Sequence, residues 1–334
     1  MKPVAQRFSA RDNLTLRCQI RRSRLLRFTL AAACLFVVLS LLAGPFLAEM
    51  SLRPPRSRVG GAAVKRAQAL AEASSATLTE VLVRADDGAF LRGWFFRPAQ
   101  GNGDAVILLH GVADSRVGML GFARLFLPKG YAVLLPDARH HGESEGDIAT
   151  FGVREARDIS LWVSSIEDEM QPRCVFALAE SMGAGQLLQS LAEEDRFCAV
   201  VAESPYATFR EVAHDRVGRA FGAGPWLGRT ILRISLESAM LYARLRYGMD
   251  LARANPADAV RVTQTPILLI HGTADRNIPA RHAEMLRAAN AGLGLWLVPG
   301  AGHSAALGTA PVEFEERVMS WFTKHAAQRS TGRR

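Results

Sequence analysis

The sequence predicts a domain of the α/β class, in which helices cover both faces of a mostly parallel, eight-stranded sheet. Three observations support this fold class. Short apolar runs typical of buried strands alternate with stretches of helical periodicity along most of the chain. Several of these runs end in polar or glycine-rich loops, as expected where an open sheet binds its ligands. A separate stretch near the N-terminus, residues 28–48, contains no charged residue and predicts one transmembrane helix before the domain.

The uncharged stretch follows a basic N-terminal arm, residues 1–27. Its 21 residues, at about 1.5 Å each, match a hydrocarbon thickness of about 30 Å. A cleaved signal peptide is the rival interpretation, but the arm is long and no small-x-small cleavage site follows the apolar run. We therefore expect an uncleaved signal anchor. Basic residues flank it almost equally, and the arginine cluster directly before it favours a cytoplasmic arm and an extracytoplasmic domain.

Charge divides the chain in the same way. Residues 1–66 hold 13 Lys and Arg against 2 Asp and Glu, whereas the other 268 residues hold 28 against 30. The net charge of +9 therefore arises from the segments that flank the apolar stretch, where cations contact anionic lipid headgroups. The larger part of the chain has no basic field of the kind that binds nucleic acid. Membrane lipids, and not nucleic acid, are the predicted partner.

Residues 49–77 are rich in Arg, Pro, Gly and Ala and are predicted to form a linker or short helix. One domain, residues 78–328, follows, and about 250 residues suffice for a full core. Asp86-Asp87-Gly88 predicts a hairpin between its first two strands. The predicted strands lie at 79–84, 90–96, 105–109, 132–136, 174–179, 197–202, 266–270 and 294–298. The predicted helices lie at 116–129, 153–169, 182–193, 279–290 and 311–326.

The chain turns sharply between the predicted fifth strand and the helix after it, around Ser181. A serine at the apex of such a turn exposes its Oγ, and the first amides of the helix point toward the atom that it attacks. Gly183 and Gly185 keep the second half of the turn open, while Ala179 stands where a glycine is usual. Ser181 is therefore the candidate nucleophile, and a simple helix N-cap is the alternative role for it.

Three other strand ends carry residues that would complement this serine. One strand runs into a loop at Val112 of the type that supplies an amide to bind an oxyanion. Another ends in a loop that carries Asp275, and the last ends in a glycine-rich loop that carries His303. Because the carboxyl ends of parallel strands meet at one edge of a sheet, we expect these groups to lie close together.

On these residues the chain resembles the α/β-hydrolase superfamily, over roughly residues 78–326. The likeness includes Asp137-Ala-Arg-His-His-Gly142-Glu-Ser144, which is similar to the loop after the fourth strand in these enzymes. Within the superfamily, the chain is most similar to bacterial hydrolases of the serine-aminopeptidase-like or dienelactone-hydrolase-like type. The resemblance implies the α/β-hydrolase fold with a helical cap over the active site.

The residue types indicate how such a site would work. His303 would remove the proton of Ser181 as its Oγ attacks an acyl carbon, and would return a proton to the leaving group. Asp275 would hold the imidazole in the useful tautomer and stabilise the imidazolium. The amides of Val112 and Met182 would bind the oxyanion. This chemistry requires neither a metal nor an organic cofactor.

Glu203 is the alternative acid, because it too ends an apolar run. Asp275 is preferred because its spacing to His303 is the common one. The remaining histidines are weaker candidates for catalysis. Three of them have helical surroundings and are expected to face solvent: His214, His282 and His325.

The four cysteines do not indicate whether the domain lies inside or outside the cytoplasm. Cys18 and Cys34 lie in the arm and the apolar span, while Cys174 and Cys198 fall early in two strands that would lie side by side. Two small buried thiols are the favoured interpretation of the second pair. A disulfide between them stays possible outside the cytoplasm and needs Cα atoms within about 7 Å.

Residues 204–262 form an insertion at the position where the superfamily usually carries its cap. Apolar residues recur with helical spacing through 226–247, and arginines fall on the opposite face. We expect a lid helix whose apolar face is buried over the pocket. The alternative is a basic amphipathic helix that rests on the bilayer and admits lipid-like esters. The apolar stripe consists of Leu227, Ile231, Ile234, Leu241 and Leu245.

The sequence thus predicts a membrane-anchored serine hydrolase that cleaves a carboxylic acyl bond, preferably an ester, in a small-molecule or lipid-like substrate. Peptidase, thioesterase and acyltransferase activities use the same three groups and stay open as alternatives. A non-catalytic, membrane-tethered binding protein on the same fold is the alternative from another class. The intact set of serine, acid and histidine argues against it.

Overall fold

Eight strands form one sheet in the computed structural model, which describes the backbone of residues 10–332 and the side chains of residues 21–326. The first nine residues of the predicted arm and the side chains of Arg11 and Arg17 lie outside the described residues. The strands are β1 (Ala76–Arg84), β2 (Phe90–Pro98), β3 (Ala105–Leu109), β4 (Ala132–Pro136), β5 (Val175–Glu180), β6 (Phe197–Glu203), β7 (Ile267–Gly272) and β8 (Gly294–Val298). The helices are α1 (Ala10–Leu52), α2 (Gly61–Ala73), α3 (Leu120–Phe126), α4 (Glu155–Met170), α5 (Ser181–Ser190), α6 (Phe209–Ala220), α7 (Trp226–Arg229), α8 (Arg233–Tyr247), α9 (Pro256–Val262), α10 (Arg281–Ala289), α11 (Ala306–Thr309) and α12 (Pro311–Gly332).

The strands lie in the order β1-β2-β4-β3-β5-β6-β7-β8. β2 pairs antiparallel with β1 and β4, and each other neighbouring pair in this sheet is parallel. Every predicted strand overlaps an observed one. The predicted fold class, an eight-stranded and mostly parallel sheet, is therefore confirmed.

Two apolar cores lie on opposite faces of the sheet, because side chains alternate along each strand. On β3, Val106 and Leu108 face one core, whereas Ile107 and Leu109 face the other. Helices α3 and α12 close the first core, and α4, α5 and α10 close the second. Burial on both faces explains why the central strands read as continuous apolar runs.

Helix α1 is longer than the predicted span. No Pro or Gly lies between residues 10 and 43, so no helix breaker stops the helix within the arm. The segment Arg21–Leu52 is long and apolar enough to cross a membrane. Residues 21–39 are exposed, whereas buried positions begin at Ser40, where the helix meets the rest of the protein.

The C-terminal part of α1 packs alongside α8, and the two helices run parallel. Ser238 Oγ donates a hydrogen bond to the carbonyl oxygen of Leu41 at 2.9 Å, and Tyr242 OH donates to Glu49 Oε1 at 2.8 Å. A Cβ on Gly44 would lie 2.7 Å from the backbone nitrogen of Ala239, so only a glycine permits this approach. Small residues recur every fourth position on both helices: Ser40, Gly44 and Ala48 on α1, and Ser235, Ala239 and Ala243 on α8.

The predicted linker contains a helix that packs on the domain. Ala63, Ala67 and Leu70 of α2 are buried in the first core. Upstream of α2, the backbone nitrogen of Val59 donates a hydrogen bond to Glu143 Oε1 at 3.1 Å. The alanine-rich stretch therefore packs against the sheet beside β1, because its small side chains allow a close approach.

The cap helix predicted over 226–247 is broken by a turn at 230–232, which separates α7 from α8. The expectation that its apolar stripe is buried is wrong for three members, because Ile231, Leu241 and Leu245 are 47%, 55% and 77% exposed. α8 buries its small residues instead. The reason is that close packing against α1 selects small side chains, which leaves the large apolar ones on the outer face.

Cys174 and Cys198 form a disulfide, which corrects the expectation of two buried thiols. Their Cα atoms are 5.6 Å apart. The pairing of β5 with β6 is irregular here, since Val175 lies opposite Phe197 but Phe176 lies opposite Ala199. Cys198 is thus an extra residue in β6, and this irregularity brings it next to Cys174. A shift of this kind is not visible in the sequence.

This disulfide has a testable consequence for stability. The bond closes a segment with a sequence separation of 24 residues. Replacing both cysteines by alanine should lower the free energy of unfolding by about 3 kcal/mol, because it restores the entropy of the unfolded chain. Chemical denaturation of both proteins measures the difference. Thiol labelling of the denatured, unreduced wild type should modify Cys18 and Cys34 only. Labelling of all four cysteines would contradict the assignment.

Candidate active site

The carboxyl ends of β3, β5, β7 and β8 bring the sequence-predicted residues to one edge of the sheet. Ser181 begins α5 directly after β5. Asp275 lies in the loop after β7, and His303 lies in the loop after β8. Val112 and Met182, the predicted donors of the oxyanion-binding amides, line the same pocket as Ser181. These are the strand ends at which open α/β sheets bind ligands.

Ser181 occupies a strained turn between β5 and α5. Its φ is +52°, in the left-handed region that residues other than glycine rarely adopt. A Cβ on Gly183 would lie 2.6 Å from the carbonyl oxygen of His110, so the start of α5 packs directly on the end of β3. Ala179, which replaces the usual first glycine, is fully buried within β5. This close packing holds the strained serine in place.

His303 connects the serine to the acid. Its Nε2 lies 2.7 Å from Ser181 Oγ, and its Nδ1 lies 2.8 Å from Asp275 Oδ2. An imidazole protonated on Nδ1 donates to the carboxylate and leaves Nε2 free to accept the hydroxyl proton. This arrangement is the one that activates a serine for nucleophilic attack.

The backbone of its own loop holds Asp275 in position. Asp275 Oδ1 accepts hydrogen bonds from the backbone nitrogens of Asn277 at 2.8 Å and Ile278 at 3.0 Å. Burial raises the pKa of Asp275, but the hydrogen bonds from His271 and His303 outweigh it and hold the pKa well below its usual range. The carboxylate therefore stays ionised near neutral pH and can stabilise a positive charge on His303.

The alternative acid, Glu203, braces the loop of His303 instead. It lies at the tip of β6, where its Oε1 accepts a hydrogen bond from the backbone nitrogen of Ala306 at 2.8 Å. Burial raises the pKa of Glu203 to about 7. A second carboxyl of this kind, Glu180, was missed by sequence reasoning. Burial, followed by the charges of Glu203 and Asp114, raises the pKa of Glu180 to about 7. Its place directly before the candidate nucleophile was the available signal.

Three histidines that were expected to face solvent are buried. His214, His282 and His325 are 7%, 0% and 7% exposed. His282 Nε2 lies 2.7 Å from Asp215 Oδ2, a partner 67 positions away in the chain. The expectation was wrong because contacts between distant segments bury these rings. Within residues 21–326, no cluster of His, Cys, Asp and Glu side chains has the grouping that holds a metal ion.

A mostly apolar cavity of about 90 Å³ opens in front of Ser181. Two of its lining residues, Leu47 and Ser51, belong to α1, which the sequence did not connect with the site. Arg216 of α6 is the one charged residue of the described lining. The remaining lining residues are Val112, Phe151, Ser181, Met182, Tyr206, Phe209, Val212, Ala213, Val217, Leu236 and Ile278.

Two curated relatives resemble the chain over much of its length. The uncharacterized protein YqkD of Bacillus subtilis is 28% identical over 189 residues, which cover 55% of this chain and 59% of YqkD. The uncharacterized protein Rv2307c of Mycobacterium tuberculosis is 28% identical over 228 residues, which cover 67% of this chain and 72% of that protein. Both are similarities of sequence, and neither relative's description states an activity.

A solved structure and a family model give the wider placement. The esterase Pf2001 of Pyrococcus furiosus superposes with a TM-score of 0.64 and 23% identity, over 82% of this chain and 99% of that one. This likeness shows the fold. The model of the alpha/beta hydrolase family matches residues 106–317, which include every candidate catalytic residue. The finer placement among serine-aminopeptidase-like or dienelactone-hydrolase-like enzymes stays a prediction. The chain belongs to the alpha/beta hydrolase family.

Proposed function

We propose that this protein is a membrane-anchored serine hydrolase that cleaves carboxylic esters through an acyl-enzyme on Ser181. One observation carries the proposal. Hydrogen bonds of 2.8 and 2.7 Å run without interruption from Asp275 through His303 to Ser181. These groups supply a nucleophile, a general base and the carboxylate that orients the base.

The reaction follows from the positions of these groups. His303 takes the proton of Ser181 as Oγ attacks the acyl carbon, and the amides of Met182 and Val112 bind the resulting oxyanion. His303 then protonates the leaving alcohol, which departs as the ester C–O bond breaks. A water molecule, deprotonated by His303, next attacks the acyl-enzyme. The acid is released and Ser181 regains its proton, while Asp275 stabilises the imidazolium in both halves.

The lining of the cavity favours an ester over the amide substrate of an aminopeptidase. An enzyme that removes N-terminal residues needs a carboxylate to hold the substrate's α-ammonium group. The described lining contains no Asp or Glu and holds one cation, Arg216. An uncharged or negatively charged acyl substrate suits these walls better. Thioester cleavage uses the same groups and is the closest alternative chemistry.

The proposed location is a membrane that α1 crosses once, with the catalytic domain outside the cytoplasm. Segment Arg21–Leu52 has the length and hydropathy that such a helix needs. The disulfide between Cys174 and Cys198 supports this side, because thiols in the cytoplasm are kept reduced. The arginines before the span support it too.

The first prediction from this proposed function concerns the nucleophile. Ser181→Ala should abolish labelling by a fluorophosphonate probe, which reacts with activated serines only. The same change should lower kcat on the best ester by about 10⁶-fold, because the three groups act as a unit. Ester hydrolysis by purified, folded Ser181→Ala protein at the wild-type rate would contradict the serine mechanism. An unlabelled wild type would favour the non-catalytic alternative.

The second prediction separates the two carboxyl groups. Asp275→Asn should lower kcat by about 10⁴-fold, because an amide favours the wrong tautomer of His303. Glu203→Gln is the matched control. Its side-chain oxygen can still accept the hydrogen bond from Ala306, so kcat should change by less than about tenfold. The opposite ranking would assign the role of the acid to Glu203.

The third prediction concerns the anchor. The full-length protein should sediment with membranes, resist extraction by high salt and dissolve in detergent, because a spanning helix is held by apolar burial. Electrostatic binding of the arm alone would be screened, so release by salt would show that nothing spans the bilayer. Fractionation followed by fluorophosphonate labelling measures both location and folding.

A further inference from the structure

Two helices that reach toward the membrane form part of the wall of the catalytic cavity. Leu47 and Ser51 of α1 and Leu236 of α8 all line it, together with Ser181. The helix that anchors the protein is therefore also a wall of the cavity. Whether this wall faces lipid or water depends on how deep in the membrane α1 and α8 are in contact.

The length of the apolar span places that contact inside the bilayer. The unbroken run of exposed, uncharged residues in α1 is 28–39, twelve residues that extend about 18 Å. A hydrocarbon core of about 30 Å needs about 20 residues. The span must therefore continue to about residue 47, through the part that α8 covers. Ser238 Oγ donates a hydrogen bond to the carbonyl oxygen of Leu41, which lies within this span. The first half of α8 therefore lies at the depth of the leaflet next to the catalytic domain.

The outer surface of the cap suits that environment. Large apolar side chains of the cap are exposed, and a surface of this kind marks contact with a membrane or another protein. The acidic Glu237 of α8 forms ion pairs with Arg210 and Arg233, so its charge is compensated. Lipid is the occupant favoured here, because the same helix packs on the anchor. The exposed residues are Phe221, Trp226, Ile231, Leu241 and Leu245.

Arg216 favours a substrate that carries a negative charge. The described residues provide it with no hydrogen bond or ion pair, and the lining of the cavity holds no carboxylate. Arg216 is exposed where it lines the cavity, so an anion can reach its guanidinium. An anionic ligand at the mouth of the cavity would form charge-assisted hydrogen bonds with this guanidinium, in a lining that holds no other charge.

We propose that the substrate is an anionic, ester-linked lipid of the leaflet that adjoins the catalytic domain. Its ester group reaches Ser181 in the cavity, its acyl chain lies along the wall that Leu47 and Leu236 form, and its anionic headgroup contacts Arg216. This inference rests on the proposed serine hydrolase function. A bond forms between Ser181 Oγ and the acyl carbon, the lipid's ester C–O bond breaks, and the deacylated lipid leaves with the proton from His303. Water then releases the fatty acid.

The test uses the full chain reconstituted in vesicles of phosphatidylglycerol with either palmitoyl or hexanoyl chains. The measured quantity is the ratio of palmitate to hexanoate release. Leu47→Trp should lower this ratio by about tenfold, because an indole narrows the path of a long chain. Leu42→Trp is the matched control, since Leu42 is 68% exposed on the same helix and should leave the ratio unchanged.

A second variant, Leu47→Ala, keeps the test decisive if Leu47→Trp does not fold. Leu47→Ala widens the cavity and should change the ratio in the direction opposite to Leu47→Trp. Unchanged ratios in folded Leu47→Trp and Leu47→Ala proteins would overturn the proposed path of the acyl chain. Labelling by a fluorophosphonate distinguishes failure of the lipid substrate from failure of the proposed serine hydrolase function. A wild type that is labelled but releases no fatty acid would overturn the lipid substrate and leave the serine hydrolase intact.

The headgroup is tested by the rate ratio of phosphatidylglycerol to phosphatidylcholine vesicles with identical chains. Arg216→Gln should lower this ratio by about tenfold, the scale of one lost charge-assisted hydrogen bond. Arg219→Gln, on the same helix but outside the cavity lining, should keep the wild-type ratio. Equal ratios in wild type and Arg216→Gln would overturn the anionic preference. An equal loss in both variants would assign the effect to general surface charge.

Discussion

The parallel pairing of the central strands is the constraint on which the site depends. Because these strands run in one direction, the loops that carry Ser181, Asp275 and His303 must leave the sheet at the same edge. Ser181 and Asp275, which are 122 and 28 positions from His303 in the chain, thereby come within hydrogen-bonding distance of it, at 2.7 and 2.8 Å. The buried strands supply the rigidity that keeps these distances short. The strained turn at Ser181 persists because the end of β3 packs against Gly183.

Close packing of α1 against α8 connects this site to the proposed membrane. Interlocking small residues are needed at both surfaces, and Gly44 is the point at which a side chain would not fit. The same packing turns the large apolar side chains of the cap outward and leaves Leu47 in the wall of the cavity. One structural requirement therefore accounts for the exposed surface of the cap and for the shape of the substrate path.

Sequence patterns were sufficient for the sheet and for the positions of Ser181, Asp275 and His303, because both depend on strand periodicity and on loops at strand ends. Sequence patterns gave wrong predictions where contacts between distant segments determine the structure. The disulfide of Cys174 depends on an irregular strand pairing, and the burial of His282 depends on a partner in another helix. The stripe through Leu241 was assigned to the wrong environment, since periodicity shows that a face is apolar but not whether protein or lipid covers it.

Ser181 is proposed to carry the acyl group during turnover. Rapid quenching with acid during hydrolysis of a slowly deacylated ester, followed by peptide mass spectrometry, tests this claim directly. The mass of the acyl group should appear on the peptide that contains Ser181, at close to one group per active protein, and should decay at the rate of turnover. Turnover without acylation, or acylation of a different residue, would contradict it.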